Sequence, residues 1–292
     1  MDSFTIKDLE NLSGIKAHTI RIWEQRYDFL KPQRTDTNIR YYTNDELKKL
    51  LNVALLNKYG YKISHINRMT DEQIVERILS LTQSEAVQEK MVNDLVTCMV
   101  DMDTILFEDL LDNYIASRGI DKTIAQIIFP LLEKTGILWL TSSIIPAQEH
   151  LISNIIRQKF ITGIESTRSL IKLNKTALLF LPEDEHHEIG LLYMQYQFKS
   201  RGFNVLYIGA DTPLTDLAYV TERRKPDFIY SHIISSPANF NIDKFLGKFH
   251  ALIANTPLII TGKYAKQPKK ANFSNVHFKQ SISEALEYIG AL

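Results

Sequence analysis

A single cysteine, Cys98, is present in 292 residues, so no internal disulfide can form and a reducing cytoplasm is the expected setting. Cys98 sits in the apolar stretch VNDLVTCMV, where burial is its expected role. Charge of one sign is also missing in bulk: 34 Lys and Arg balance 34 Asp and Glu. Attraction of the whole molecule to a polyanion or a membrane surface is therefore not expected. No run of about 18 apolar residues stands out, and Met1-Asp2-Ser3 opens no secretory leader, so neither spanning nor export is expected. Ser-His-Asp, zinc-spaced and P-loop constellations are lacking, which argues against turnover.

What is present suits two or three globular domains, with 45% hydrophobic and 23% charged residues. The balanced total conceals a gradient. Residues 1–70 hold 12 basic and 8 acidic groups, residues 71–173 hold 9 and 15, and residues 174–292 hold 13 and 11. A basic head on an acidic middle confines any polyanion partner to the head.

The pattern also changes along the chain. Thr5-Ile6-Lys7-Asp8 and Thr43-Asn44-Asp45-Glu46 have the form of capping boxes, the first opening a helix that stops at Gly14. A second helix is expected over Ala17 to Arg26, and the second box opens one carrying Leu47, Leu50, Leu51, Ala54 and Leu55 on one face. Between them FLKPQRTDTNIRYY reads as a two-strand wing. From Gln83 to Ser169 apolar residues recur at three- and four-residue steps, implying four helices. Beyond that, TALLFL, NVLYIG, DFIYSHII and PLIIT alternate with amphipathic stretches, the pattern of a doubly wound parallel sheet.

Two short helices joined by a tight turn have helix-turn-helix dimensions. Ala17, Ile20 and Trp23 would pack on the first helix, leaving His18, Ile22, Gln25 and Arg26 outward with Arg21 at the flank. His18, Gln25 and Arg26, with Thr19, are candidates for the major groove, while Arg21 at the flank and Arg34, Arg40, Tyr41 and Tyr42 in the wing suit phosphates. A solvated helix pair with no ligand has the same spacing. The string TIRIWEQRY, followed by Pro32-x-Arg34 and Arg40-Tyr41-Tyr42, resembles the signature of MerR winged-helix regulators over about residues 3–75. That resemblance implies dimers bound to two-fold double-stranded DNA operators.

The first loop of the sheet region is LPEDEHHEIG. Its Glu185-x-His187-x-x-Gly190 resembles the D-x-H-x-x-G motif of cobalamin-binding domains, with Glu in place of Asp. A neutral imidazole can ligate cobalt through one nitrogen while the other donates to the carboxylate, and Gly190 allows close approach of a bulky ring. The alternative is a pair of exposed histidines in an acidic loop. Further along, the resemblance assigns Ser231 and Thr261-Gly262 to the nucleotide tail. Trp139 and, after nine intervening residues, Glu149-His150 resemble the helical cap of light-responsive, cobalamin-dependent MerR regulators of carotenoid genes. In that family these residues cover the adenosyl face; otherwise Trp139 is a core aromatic and Glu149-His150 a solvated helix face. Two departures stand out: Thr261 where the family has glycine, and Leu140 where some members place histidine after the tryptophan.

The expected fold class is thus multidomain, α plus α/β. It comprises a winged helix-turn-helix over 1–78, a four-helix cap over 82–170 and a Rossmann-like, flavodoxin-like doubly wound sheet over 174–292. The expected function is a cytoplasmic, oligomeric (dimer or tetramer) regulator, most naturally a repressor, that senses adenosylcobalamin and light, with His187 on the metal. The alternatives are the same regulator with a vestigial sensor that binds no cobalamin, and a corrinoid protein serving a methyltransferase.

Overall fold

The computed structural model describes residues 4–27, 29–35, 37–235, 240–266 and 273–291. Met1-Asp2-Ser3, where no leader is expected, lie outside the described residues. The chain divides into two compact units, residues 1–156 and 157–292.

The first unit opens with α1 (Ile6–Ser13), α2 (Ala17–Arg26), the antiparallel strands β1 (Gln33–Arg34) and β2 (Arg40–Tyr41), and α3 (Asn44–Lys58). Both capping boxes form as the sequence implies. Asp8 accepts the Thr5 N–H at 2.7 Å, and Glu46 accepts the Thr43 N–H at 2.9 Å while its other oxygen takes the Lys31 N–H at 2.7 Å. Two shorter helices complete the head, α4 (Ile63–Ile66) and α5 (Asp71–Leu79). Helices α6 (Ser84–Asp101) and α7 (Thr104–Arg118) follow, then a continuous run of α8 (Ile120–Thr123), one π-helical segment (Ile124–Ile128) and α9 (Phe129–Leu140). Pro130 lacks an N–H to bond into the preceding turn, and the widened π segment lies immediately before it. Helix α10 (Pro146–Ser166) crosses the division between the units.

Head and helices, expected as separate domains, share this unit. Polar ties join them: Lys134 on α9 donates to the Leu12 carbonyl at 3.1 Å and to Asn93 Oδ1 on α6 at 2.7 Å, and Asn44 donates to Asp101 at 2.9 Å. The stretch Ile120–Leu140, though interrupted by charged residues, is long and apolar enough to cross a membrane by length and composition. Its apolar face, with Ile124, Ile127, Ile128, Leu131 and Leu138, is fully buried in the unit, as in a core helix. Cys98 is buried too, and burial pushes its thiol up to about 11, so the thiolate is scarce at neutral pH.

The second unit is a sheet of β3 (Thr176–Pro182), β4 (Asn204–Thr212), β5 (Phe228–Ile233), β6 (Leu258–Gly262) and β7 (Val276–Phe278). All neighbours are parallel in the order β4-β3-β5-β6-β7, the flavodoxin-like arrangement. Helices α11 (Ile189–Ser200) and α14 (Ile282–Gly290) pack on one face with Leu179, Phe228, Tyr230 and Ile259. Helices α12 (Leu214–Arg224) and α13 (Ile242–Leu252) pack on the other with Phe180, Ile229, Ile233 and Ile260. Strand β7 has no counterpart among the apolar runs read from the sequence. Order reverses at β3, whose neighbours are β4 and β5, and a ligand is expected outside the carboxyl ends of the strands there.

Candidate functional site

In the head, Ile20 and Trp23 are buried against the rest of the unit, whereas His18, Arg21, Ile22, Gln25 and Arg26 are exposed on α2 and Thr19 is half-buried. The outward face of α2 is thus polar and cationic apart from Ile22. In the wing, Arg34 donates to Asn38 Oδ1 at 2.6 Å and Tyr41 to Gln33 Oε1 at 2.6 Å, both at the surface. Arg40 lies 3.4 Å from the largely buried Glu24, which also accepts the Tyr42 hydroxyl. Tyr42, expected among the phosphate contacts, is fully buried, pairs with Phe4 and is a core residue. Burial and the Glu24 carboxylate push its phenol well above the usual range, so it remains a neutral donor. Sequence reading passed over Glu24 because an acid in a basic helix looked like solvated surface.

At the end of α9, Trp139 is half exposed, and Leu140 is almost wholly so. Glu149 and His150 occupy the first turn of α10, with Glu149 accepting from Ser153 and lying 3.6 Å from the His150 ring. Buried Gln148 fastens the intervening loop, accepting the Ile145 N–H at 2.9 Å and donating to the Val100 carbonyl at 2.8 Å. Trp139 is therefore a displayed aromatic on an anchored corner rather than a core residue.

In the sheet unit, the loop after β3 brings Glu185 to the switch point. Its carboxylate is almost completely buried and accepts four hydrogen bonds. The Ile234 and Ser235 N–H groups, just beyond β5, reach Oε2 at 3.0 and 2.6 Å. The His187 N–H and His187 Nδ1 reach Oε1 at 3.0 and 2.6 Å. Burial pushes the Glu185 carboxyl up, but the hydrogen bonds from the His187 ring and from the backbone outweigh it and hold the group below its ordinary value. With Nδ1 donating to a carboxylate, the tautomer is set and Nε2 is the basic nitrogen of a ring whose side chain is 58% exposed. The neighbouring His186 is exposed as well. Among the described residues no group of three His, Cys, Asp or Glu could hold a bare metal ion. A lone oriented imidazole suits a metal that arrives already chelated in a plane.

Comparisons with known families match the head and the helical segment behind it. Residues 4–73 match the MerR helix-turn-helix family of regulatory proteins, and residues 91–162 match the B12 binding domain family. The chain joins a MerR head to a B12-binding domain. It is 27% identical over 272 residues to the transcriptional repressor CarA of Myxococcus xanthus, covering 92% of this chain and 90% of that protein. To CarH of the same organism it is 25% identical, covering 90% of each. The monomethylamine corrinoid protein of Methanosarcina barkeri shares the fold with a TM-score of 0.56 at 12% identity, over 70% of this chain and 100% of that one. The proteins similar over the MerR head and the body together are regulators, and this chain is a DNA-binding regulator rather than an enzyme.

The remaining expected residues lie at the top of the sheet. Gly190 starts α11 against His232, so closely that a Cβ there would lie 2.2 Å from the imidazole Cδ2. His232 Nδ1 is 2.6 Å from the Thr261 hydroxyl, which is 2.6 Å from the Tyr230 hydroxyl. Tyr230 belongs to the α11–α14 face, so alternation along β5 puts His232 there and turns Ser231 to the α12–α13 face. Ser231 is fully buried, and no partner is found for its hydroxyl among the described residues. Gly262 has φ of 94° and would place a Cβ 2.2 Å from the Ile233 carbonyl. The lower-ligand side thus fits a corrinoid metal, while the sheet beneath Gly190 is filled by side chains.

Proposed function

We propose that the chain is a cytoplasmic, oligomeric transcriptional repressor that senses adenosylcobalamin and, through it, light. The observation that carries this reading is the Glu185–His187 pair at the switch point, with an exposed imidazole held in one tautomer by a buried carboxylate. When bound, the cofactor would supply a metal with a free lower position and a light-sensitive bond to carbon above it. His187 is the lower ligand, and Glu185 orients it and sustains its basicity. Trp139, Glu149 and His150 serve the upper, alkyl side, as their resemblance to the helical cap of light-responsive regulators implies. Leu140 has no donor atom and adds only apolar surface there. On DNA, His18, Thr19 and Arg26 face the major groove and Arg21, Arg34, Arg40 and Tyr41 face phosphates, which leaves Tyr42 as their internal support. Cofactor binding biases the oligomer, and the oligomer sets DNA affinity by linkage.

The test is an absorbance titration of the full chain with adenosylcobalamin in darkness, followed by size-exclusion chromatography before and after illumination. His187→Ala should lose the spectrum of a cofactor whose own base is replaced by imidazole, and His186→Ala should keep it. Equal behaviour of the two variants overturns the ligand assignment. An elution volume indifferent to cofactor and light overturns the switch. A second reading, a sensor that binds no cobalamin, is favoured by the packed Thr261–His232 contact; absence of any spectral change with the native chain would establish it.

A further inference from the structure

A corrinoid held by His187 has given up its own lower base, because the metal has one lower position. The released base, with its ribose and phosphate, must then enter the protein beneath the ring or remain in water. Beneath the His187 loop, α11 begins at Gly190, in contact with the His232 ring. His232, Thr261 and Tyr230 form a continuous hydrogen-bonded row across β5 and β6, with Tyr230 and Thr261 fully buried. If the tyrosine hydroxyl donates to Thr261 and Thr261 donates to His232 Nδ1, both hydroxyl protons and Nδ1 are used within the row, while the Nε2–H of the neutral ring lies outside it. An entering base would have to displace the His232 ring, break the row and part α11 from the sheet. Burial pushes the His232 imidazole down to about 4, the nearby Glu185 charge notwithstanding, so the ring is neutral and gives no cationic attraction to a phosphate. The residue whose hydroxyl could have met a base, Ser231, faces α12 and α13 instead. On that side lies a cavity of about 750 Å³ lined by Pro182, Leu214, Phe240, Lys244 and Lys248, across the sheet from Gly190.

We propose that this domain holds a corrinoid by its ring and by His187 while leaving the nucleotide tail outside the sheet, with His232, Thr261 and Tyr230 occupying the space beneath Gly190. The ligand class is therefore corrinoids of any lower base, including tail-less cobinamide. The inference rests on the proposed ligation by His187. It also has a definite sign. In cobalamin the pendant base competes with His187 for the metal, and without burial of the tail nothing offsets that competition. Cobinamide lacks the competitor, so it should bind at least as tightly.

The experiment titrates the full chain with aquacobalamin and with diaquacobinamide, following absorbance and heat, and records the phosphorus resonance of bound cobalamin. The expected result is a dissociation constant for cobinamide equal to or below that for cobalamin, with a mobile, free-like phosphodiester signal. His232→Ala should open the slot and shift the preference toward cobalamin by about tenfold. Native chain that binds cobalamin thirtyfold or more tightly than cobinamide, with a broadened phosphodiester signal, overturns the inference. His187→Ala in parallel separates the two readings. If it weakens both corrinoids while the native chain still demands the tail, only the tail inference fails. If it changes neither, or if the native chain binds neither corrinoid, the ligation reading fails and the tail inference falls with it.

Discussion

Two buried carboxylates, Glu24 in the head and Glu185 in the sheet unit, do related work in different ways. Each is largely buried, and each holds one exposed nitrogen base, Arg40 or His187. Among the described residues Glu24 is held through side chains, the Arg40 guanidinium and the Tyr42 hydroxyl. Glu185 also takes three backbone N–H groups, from His187, Ile234 and Ser235, so it ties the loop after β3 to the end of β5. The head therefore presents a cation whose position can adjust to a phosphate chain. The sheet unit presents an imidazole fixed in both tautomer and place. A polyanion requires neutralised charge with tolerance for register, whereas a metal ligand requires one geometry.

The largest expected effect falls on the rigid carboxylate. Glu185→Ala leaves three backbone donors without their acceptor and His187 without its partner. Thermal or urea unfolding should show a loss of about 3 kcal/mol, since hydrogen bonds to charged groups are the stronger kind. Corrinoid affinity should fall by about 10- to 100-fold, the usual consequence of losing the group behind a metal-ligating histidine. Unchanged stability would mean that the loop is held by something other than this carboxylate.

A smaller effect is expected at Lys134, a buried cation inside the first unit. Burial pushes its amine down to about 8. Between about pH 8 and the ordinary lysine value the unfolded chain binds more protons than the folded one, so this residue's contribution to stability rises with pH across that window. Lys134→Met should change stability at pH 7 by no more than about 1 kcal/mol, because the donor lost to the Leu12 carbonyl and Asn93 is offset by the relieved cost of burying a cation. It should also remove one proton's worth of the pH dependence above 8, and native and variant melting curves with parallel pH dependence would contradict this. The same variant loosens a tie between α1 of the head and α9, the helix that carries Trp139 in its last turn.

The smallest effect belongs to the adjustable side of the comparison. Arg40→Ala should weaken binding to all DNA sequences alike and reduce the salt slope by roughly one, as loss of a single phosphate contact does. Glu24→Gln should do the reverse by releasing Arg40, with a modest gain in affinity at low salt. A gel-shift salt titration in which Arg40→Ala leaves the slope unaltered would remove that residue from the interface.

Local elements were legible where a rule acts within a few residues. Thr5-Asp8 and Thr43-Glu46 form the boxes their spacing implies, and α2 runs over the expected ten positions with Ile20 and Trp23 inward. The parallel sheet was visible in its apolar runs, except β7, a partly exposed edge strand of three residues too short to register as a run. Within the sites, the Glu185–His187 spacing pointed to a bond that the folded loop makes. Tyr42 was misplaced because R-Y-Y in a polar wing gives no sign that the second tyrosine turns inward to Phe4 and Glu24. Lys134 was overlooked because a lysine on an amphipathic helix ordinarily lies in solvent.

By itself, then, the sequence determined the start and period of the elements, the order of head, helices and sheet, and the chemistry available in the loop after β3. These depend on capping, periodicity and turn residues, which act over at most a few positions. Tertiary structure alone decided that the MerR head and the helices behind it form one unit, and that Glu185 would find its backbone donors some fifty residues away beyond β5. It also decided which sheet face received Ser231 and which received His232, because a strand presents alternate residues to opposite sides and only the packing of α11 and α14 against α12 and α13 says which side is which.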